Sequence, residues 1–238
     1  MHEDRFYRKH LQQRGLSSYQ VRVEETDLLV STDTDIYDIA LDSVIKYRFI
    51  INNYIQHHPD FLSAMGPYRP DLYAPEIIKD MILFSSRCGV GPMASVAGAL
   101  AHFVGSALRR YSKNVLIENG GDDYLYLHDD ATVSIFAGNS PLSNKIYLKI
   151  RKIQMPIGVC TSSGTVGHSL SFGKADAVCV LSRSATLADA AATAIGNRVV
   201  DKKSIHPALE WGMGLEDVTG VIIIMGDRFG VLGDVEIA

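Results

Sequence analysis

The chain has 238 residues and a net charge of −4, with 47% hydrophobic and 21% charged residues. That length buries a sizeable core as one large domain or two small ones, and the charge offers no basic field for nucleic acid. Three cysteines, Cys88, Cys160 and Cys179, lack CxxC spacing and argue against a disulfide scaffold or zinc site.

Residues Met1 to Gly15 are polar, read as a loose arm and do not resemble a signal peptide. No apolar run reaches membrane-spanning length, so the expectation is a cytoplasmic protein with no membrane partner. Tyr19 to Val23 alternates and Leu28 to Val30 follows a polar turn, which predicts a hairpin. Asp33 or Thr34 is placed to cap a long helix carrying Ile36, Ile39, Ala40, Val44, Tyr47, Ile50, Ile51 and Tyr54, ending near His57-His58-Pro59. Adjacent histidines cannot share one helical face, so that pair reads as a solvated helix end. Pro75 and Glu76 open a second helix through Ser86.

The stretch from Cys88 to Asp123 organises the rest. Gly89 and Gly91 allow unusual backbone, and Pro92 suits the start of a helix running from 93 to 110. Ala94, Ala97, Gly98, Ala101 and Gly105 make that helix approachable by another backbone or by a flat ligand. Val115 to Ile117 is a strand that stops at Asn119-Gly120-Gly121-Asp122-Asp123. Two readings of that stop stay open: a plain hairpin turn, or bare N–H groups and carboxylates gathered around a nucleotide and its metal.

Tyr124 to Leu127, Thr132 to Phe136 and Ile146 to Ile150 read as an antiparallel meander. Ile157 to Cys160 leads into Thr161-Ser162-Ser163-Gly164 and then His168, a loop of small donors suited to a phosphate and equally ordinary as a surface loop. After a buried strand at 176–181, Ser184 or Thr186 caps a helix at 186–197 with Asp189 and Thr193 on one face among alanines. A carboxylate and a hydroxyl one turn apart suit a hard cation such as Mg²⁺. A capping box from Thr186 to Asp189 is the competing explanation. Strands at 221–225 and 231–237 flank a turn at Asp227-Arg228.

Three segments in order, Glu118-Asn119-Gly120-Gly121-Asp122, Thr161-Ser162-Ser163-Gly164 with His168, and Ala188-Asp189-Ala190 through Thr193-Ala194, resemble the ApbE family of FAD:protein FMN transferases. The resemblance runs from Gly89 to Val200. The helices and strands predict an α+β fold of antiparallel or mixed sheets packed with helices, residues 1–238 forming one domain, and the resemblance implies a tunnelling-fold-like ApbE architecture for it. The resemblance also implies Mg²⁺ held by Asp189 and Thr193, and FAD or FMN bound by Asn119, Gly120, Gly121, Asp122, Thr161, Ser162, Ser163 and Gly164. His168 becomes the catalytic group beside the diphosphate, and the partners are a flavin nucleotide and an acceptor protein. The chain departs from the family after His168, where Ser169-Leu170-Ser171-Phe172-Gly173 stands in place of D-P-x-T-G. The family's N-terminal flavin-covering segment is not recognisable.

Three functions compete. The first is a Mg²⁺-dependent flavin-nucleotide transferase or diphosphate-cleaving enzyme, and the second a non-catalytic flavin or nucleotide module. The third is a small-molecule kinase with Gly89 to Ala101 around a phosphate, which gives the 161–168 loop no task. Buried strands and the small-residue helix are compatible with a homodimer.

Overall fold

The structure is a computed structural model and describes residues 15–164 and 173–238. The expected N-terminal arm therefore lies almost wholly outside the described residues. In chain order come β1 (Ser17–Val23), β2 (Thr26–Thr32), α1 (Tyr37–His57), α2 (Pro59–Ser63), α3 (Glu76–Cys88), α4 (Val96–Leu108), β3 (Val115–Asn119), β4 (Asp122–Tyr126), β5 (Ala131–Ser134) and β6 (Tyr147–Ile150). Then follow β7 (Ile157–Ser162), β8 (Ala177–Ser182), α5 (Ala185–Gly196), α6 (Ile205–Met213), β9 (Val218–Met225), β10 (Arg228–Gly233) and β11 (Glu236–Ile237).

Eight strands form one sheet in the order β1-β2-β3-β4-β7-β8-β9-β10. Every neighbouring pair in it is antiparallel. This is the expected α+β class. β5, β6 and β11 form a second sheet in the order β11-β6-β5. The expected meander of β4, β5 and β6 is thus corrected: β4 pairs with β7, with Asp122 opposite Cys160, and the β5–β6 hairpin turns away.

The pleat sends alternate residues of the large sheet into two cores. Val115, Ile117, Tyr124, Cys160, Val178 and Val180 face α4 and α5. Leu116, Leu125, Val159, Cys179 and Leu181 face the small sheet, against Val133, Leu148 and Ile150. Covering on both faces is why β3 and β8 are apolar runs and not alternating ones. A third core stacks α1, α2 and α3 on the outer side of α4 through Ile51, Tyr54, Phe61, Ile78 and Leu100.

Local details revise the sequence reading. Neither Asp33 nor Thr34 caps α1, whose N-cap position is Ile36 without a side-chain bond. Asp33 instead accepts from the N–H groups of Lys113 (2.7 Å) and Asn114 (3.1 Å) and from Ser112 Oγ (2.9 Å), tying β2 to the start of β3. The glycine-rich turn divides its labour. Gly89 sits at φ +74° as the left-handed cap of α3, whereas Gly91 has an ordinary φ of −76°. Its missing side chain is needed for contact, because a Cβ there would lie 1.7 Å from the Ala64 carbonyl oxygen. Pro92–Ser95 is a 3₁₀ turn, and α4 starts only at Val96. α6 was not anticipated, and the strand expected at 231–237 is divided at Gly233, φ +96°.

Candidate functional site

Asn119 pairs with Asp122 across the β3–β4 hairpin, leaving Gly120 and Gly121 as its two-residue loop. Their φ values of +70° and +104° are what a tight primed turn demands of both central residues. The hairpin reading is therefore correct as geometry, and the same turn also delivers its polar side chains to the helices. Asn119 Nδ2 donates to the Ala97 carbonyl at 3.0 Å. Asp122 lies opposite Cys160 on the same face, with the Cys160 thiol beside its carboxyl. Glu118 and Asp123, one residue off in each strand, point to the other face with Thr161 and Cys179.

α5 supplies Asp189 and Thr193, both buried; indeed every residue of this helix is buried. Its N-cap is Ser184, whose side chain accepts from the Leu187 N–H. The capping box from Thr186 to Asp189 is not formed, and Thr186 Oγ1 is buried without a partner among the described residues. Asp189 caps a different helix. Its Oδ2 accepts the Gly98 N–H of α4 at 2.8 Å, and its carboxylate also takes the Ala97 N–H. Both donors belong to the first turn of α4, where N–H groups have no partner within their own helix. Gly98 makes the approach possible: a Cβ there would stand 2.3 Å from the Ala185 carbonyl oxygen and 2.6 Å from Asp189 Cβ. Small residues on α4 thus receive another backbone.

Asn119 and Asp189 meet at that first turn of α4, and Asp122 lies near Asp189. Burial pushes the Asp122 carboxyl well above the usual carboxylate range, and the nearby Asp189 adds to this, while the Cys160 thiol opposes it. Asp122 Oδ1 is buried with no hydrogen-bond partner among the described residues. Burial also raises Asp189, to about 7, against the lowering effect of the Gly98 and Ala97 N–H groups. Two buried carboxyls with raised proton affinity and one bare oxygen need a proton or a cation between them. Among the described residues no group of three or more His, Cys, Asp or Glu side chains is arranged to hold a metal. The donor set of Asp122, Asp189 and the Thr193 hydroxyl fits a hard ion that keeps waters and phosphate oxygens as its remaining ligands.

The expected hydroxyl loop is only partly a loop. Thr161 and Ser162 are the last residues of β7. Thr161 donates its N–H to the Gly121 carbonyl at 3.0 Å, which seats the strand end against the glycine turn. Gly164 donates its N–H to the Ala175 carbonyl at 2.9 Å, and Ser163 is described beside it. His168 lies outside the described residues.

His102 escaped the sequence reading. Its Nδ1 accepts the Ala185 N–H at 3.4 Å, and its ring stands edge-on to Tyr124 with centroids 5.3 Å apart. Burial, and secondarily Arg109, lowers it to about 4, so the imidazole is neutral and able to accept. The available signal was its place one helical turn after Gly98, on the face the small residues mark.

The family model described as AbpE bacteria matches residues 8–213. The chain belongs to this family. Relatives of this chain include a UPF0280 protein of Methanococcus aeolicus, 40% identical over 222 residues that cover 91% of this chain and 90% of that one. A UPF0280 protein of Methanocella arvoryzae is 38% identical, covering 92% and 89%. Among solved structures, the apo flavinyl transferase ApbE of Pseudomonas stutzeri matches with a TM-score of 0.55 at 12% identity, covering 92% of this chain and 94% of that chain. Flavin Transferase ApbE from Vibrio cholerae matches at 0.50 and 11%, covering 92% and 96%. The ordered trio of segments had pointed to this ApbE-like branch. Among the described residues no single helix is long and apolar enough to cross a membrane.

Proposed function

We propose that this chain binds a flavin nucleotide in a Mg²⁺-dependent manner and acts on its diphosphate as an FMN transferase. The observation that carries the reading is the buried Asp122 Oδ1, without a hydrogen-bond partner among the described residues, beside Asp189 at the glycine turn where β3 meets β4. Asp122, Asp189 and Thr193 would hold the ion, which when bound gathers charge on the diphosphate. The chain's own residues then do four things. The first turn of α4 orients Asp189; Gly120 and Gly121 let a nucleotide approach the backbone closely; Asn119 and Thr161 hold that turn in place. His168, carried from the family resemblance, would donate a proton to a diphosphate oxygen. In transfer, the hydroxyl oxygen of an acceptor protein's threonine bonds to the FMN phosphorus and gives up its proton to water, while the proton from His168 goes to the departing bridging oxygen. The bond from that phosphorus to the bridging oxygen breaks, and AMP leaves.

A flavin-nucleotide module without transfer is the second reading. It is favoured by the Gly164 N–H, which is bonded to Ala175 and so is not offered to a phosphate. One experiment separates the two: calorimetric titration with FAD, FMN and ATP, each with and without Mg²⁺, followed by assay for AMP. Mg²⁺-dependent FAD binding with AMP release supports transfer, and binding without AMP, even with candidate acceptors, supports the module. Binding of ATP alone would overturn both.

A further inference from the structure

We infer that His102 is a positioning residue for the cation and nucleotide site, acting through Ala185; this rests on the nucleotide reading above.

Ala185, the first residue of α5, is held from several sides. Its N–H is accepted by His102 Nδ1 at 3.4 Å. Its carbonyl accepts the Cys160 S–H at 3.3 Å, and that thiol stands beside the Asp122 carboxyl. Its Cα is seated where Gly158 has no side chain, a Cβ there falling 2.3 Å away. One turn further along α5, Asp189 reaches back to cap α4. The two helices therefore cap each other: α4 accepts the opening N–H of α5 through His102, and α5 accepts the opening N–H groups of α4 through Asp189. Both ties lie on the Gly98–His102 face of α4. Asp189 depends on where Ala185 stands through the helix itself, and Asp122 lies opposite the Cys160 whose thiol the Ala185 carbonyl holds.

His102 is in turn fixed. Tyr124 packs against its ring, and the Tyr124 ring fills the space left by Gly105, where a Cβ would meet it at 2.2 Å. The Tyr124 hydroxyl is met by Ser106 Oγ at 3.4 Å. The imidazole accepts at Nδ1 only with its proton on Nε2. An apolar residue of similar size would fill the space and leave the Ala185 N–H without its acceptor. Residues that orient ligands in this way typically change metal affinity by about 10- to 100-fold.

The test compares H102A with H102N, whose Oδ1 can occupy the acceptor position of Nδ1. FAD is titrated into the full chain at saturating Mg²⁺, and melting temperature and amide hydrogen exchange are recorded on the same samples. The expected result is at least about a 10-fold weaker Mg²⁺-dependent affinity in H102A, with most of it recovered in H102N. Exchange at Ala185 and Gly98 should accelerate in H102A and return in H102N. Equal binding by H102A and wild type, or equal loss in both variants, overturns the assignment. If H102A does not fold, H102N decides alone: retained binding supports the role of the acceptor and lost binding removes it. A wild-type chain that binds no flavin nucleotide overturns the nucleotide reading instead. Coupling of the helices is then judged by exchange, where no change at Gly98 in H102A sinks it and acceleration reversed by Asn sustains it.

Discussion

The Asp189 carboxylate closes the first turn of α4 by accepting the Gly98 N–H at 2.8 Å, across 91 positions of sequence. A side chain that sequence spacing marks as a metal ligand or a local cap is first of all the cap of a distant helix. The two roles are compatible, because the carboxylate offers more lone pairs than Gly98 and Ala97 occupy.

Replacing Asp189 should therefore separate stability from binding. Asp189→Ala removes the cap of α4 and is expected to lower stability by about 1 kcal/mol as well as abolish Mg²⁺-dependent nucleotide binding. Asp189→Asn keeps an acceptor and should hold stability near wild type while still losing the binding. Denaturant unfolding and calorimetry on both variants check this. Mg²⁺-dependent binding that survives in Asp189→Ala would leave capping as its whole task.

Gly98→Ala adds a methyl group where the Ala185 carbonyl oxygen and Asp189 Cβ already stand, 2.3 and 2.6 Å away. Rigid backbone lies on both sides, so α4 and α5 must separate. The expected destabilisation is about 1–3 kcal/mol or more, with nucleotide affinity falling alongside it. Thermal melting that matches wild type would deny that α4 and α5 are in close contact at Gly98.

Stability should depend on pH through the two raised carboxyls. A carboxyl whose folded-state pKa is raised keeps its proton while the unfolded chain has lost it. Stability is then full below the unfolded carboxylate range and declines as pH rises, for Asp189 between about 4 and about 7. His102 works in the opposite sense: lowered to about 4, it costs stability as pH falls from about 6.5 toward that value. Asp122→Asn should flatten the decline on the alkaline side, and Mg²⁺ should oppose it in wild type. Urea midpoints across that range with and without Mg²⁺ test both effects; a wild-type curve identical to Asp122→Asn contradicts them.

The same exchange, threonine for valine, should give different outcomes at two places on α5. Thr186 Oγ1 is buried and unpartnered among the described residues, so Thr186→Val is expected to leave stability unchanged or raise it by up to about 1 kcal/mol. Thr193→Val should leave melting unaltered and weaken Mg²⁺-dependent binding several-fold. Melting temperatures and titrations of the pair decide the matter, and a matched response would deny Thr193 any part in the site.

Periodicity and turn chemistry made much of the fold legible. The helical spacing from Ile36 to Tyr54 located α1, and Asn119 through Asp122 announced the hairpin by its glycines alone. Pairings between distant segments were not legible. Asp189 offered a local explanation in Thr186, three residues back, and nothing local names Gly98. The Ala185–His102 bond, across 83 positions, is hidden for the same reason. Alternation also cannot say which sheet a strand joins, so β4 and β5 looked like neighbours. α6 carried an i, i+3, i+4, i+7 pattern in Ile205, Ala208, Leu209 and Gly212, obscured by Pro207. In a first helical turn the missing proline N–H does no harm.

α5 has no side open to water, since all its positions from Ala185 to Gly196 are buried. Such a helix lacks the tolerant outer stripe on which substitutions normally accumulate unnoticed. In a saturation library this segment should read as an unbroken block of intolerance, whereas α1 should show a periodic tolerance with Ile45 and Phe49 on its permissive side. A fluorophore or spin label meant to report on the centre of this protein must accordingly be carried by a neighbour, never by α5 itself.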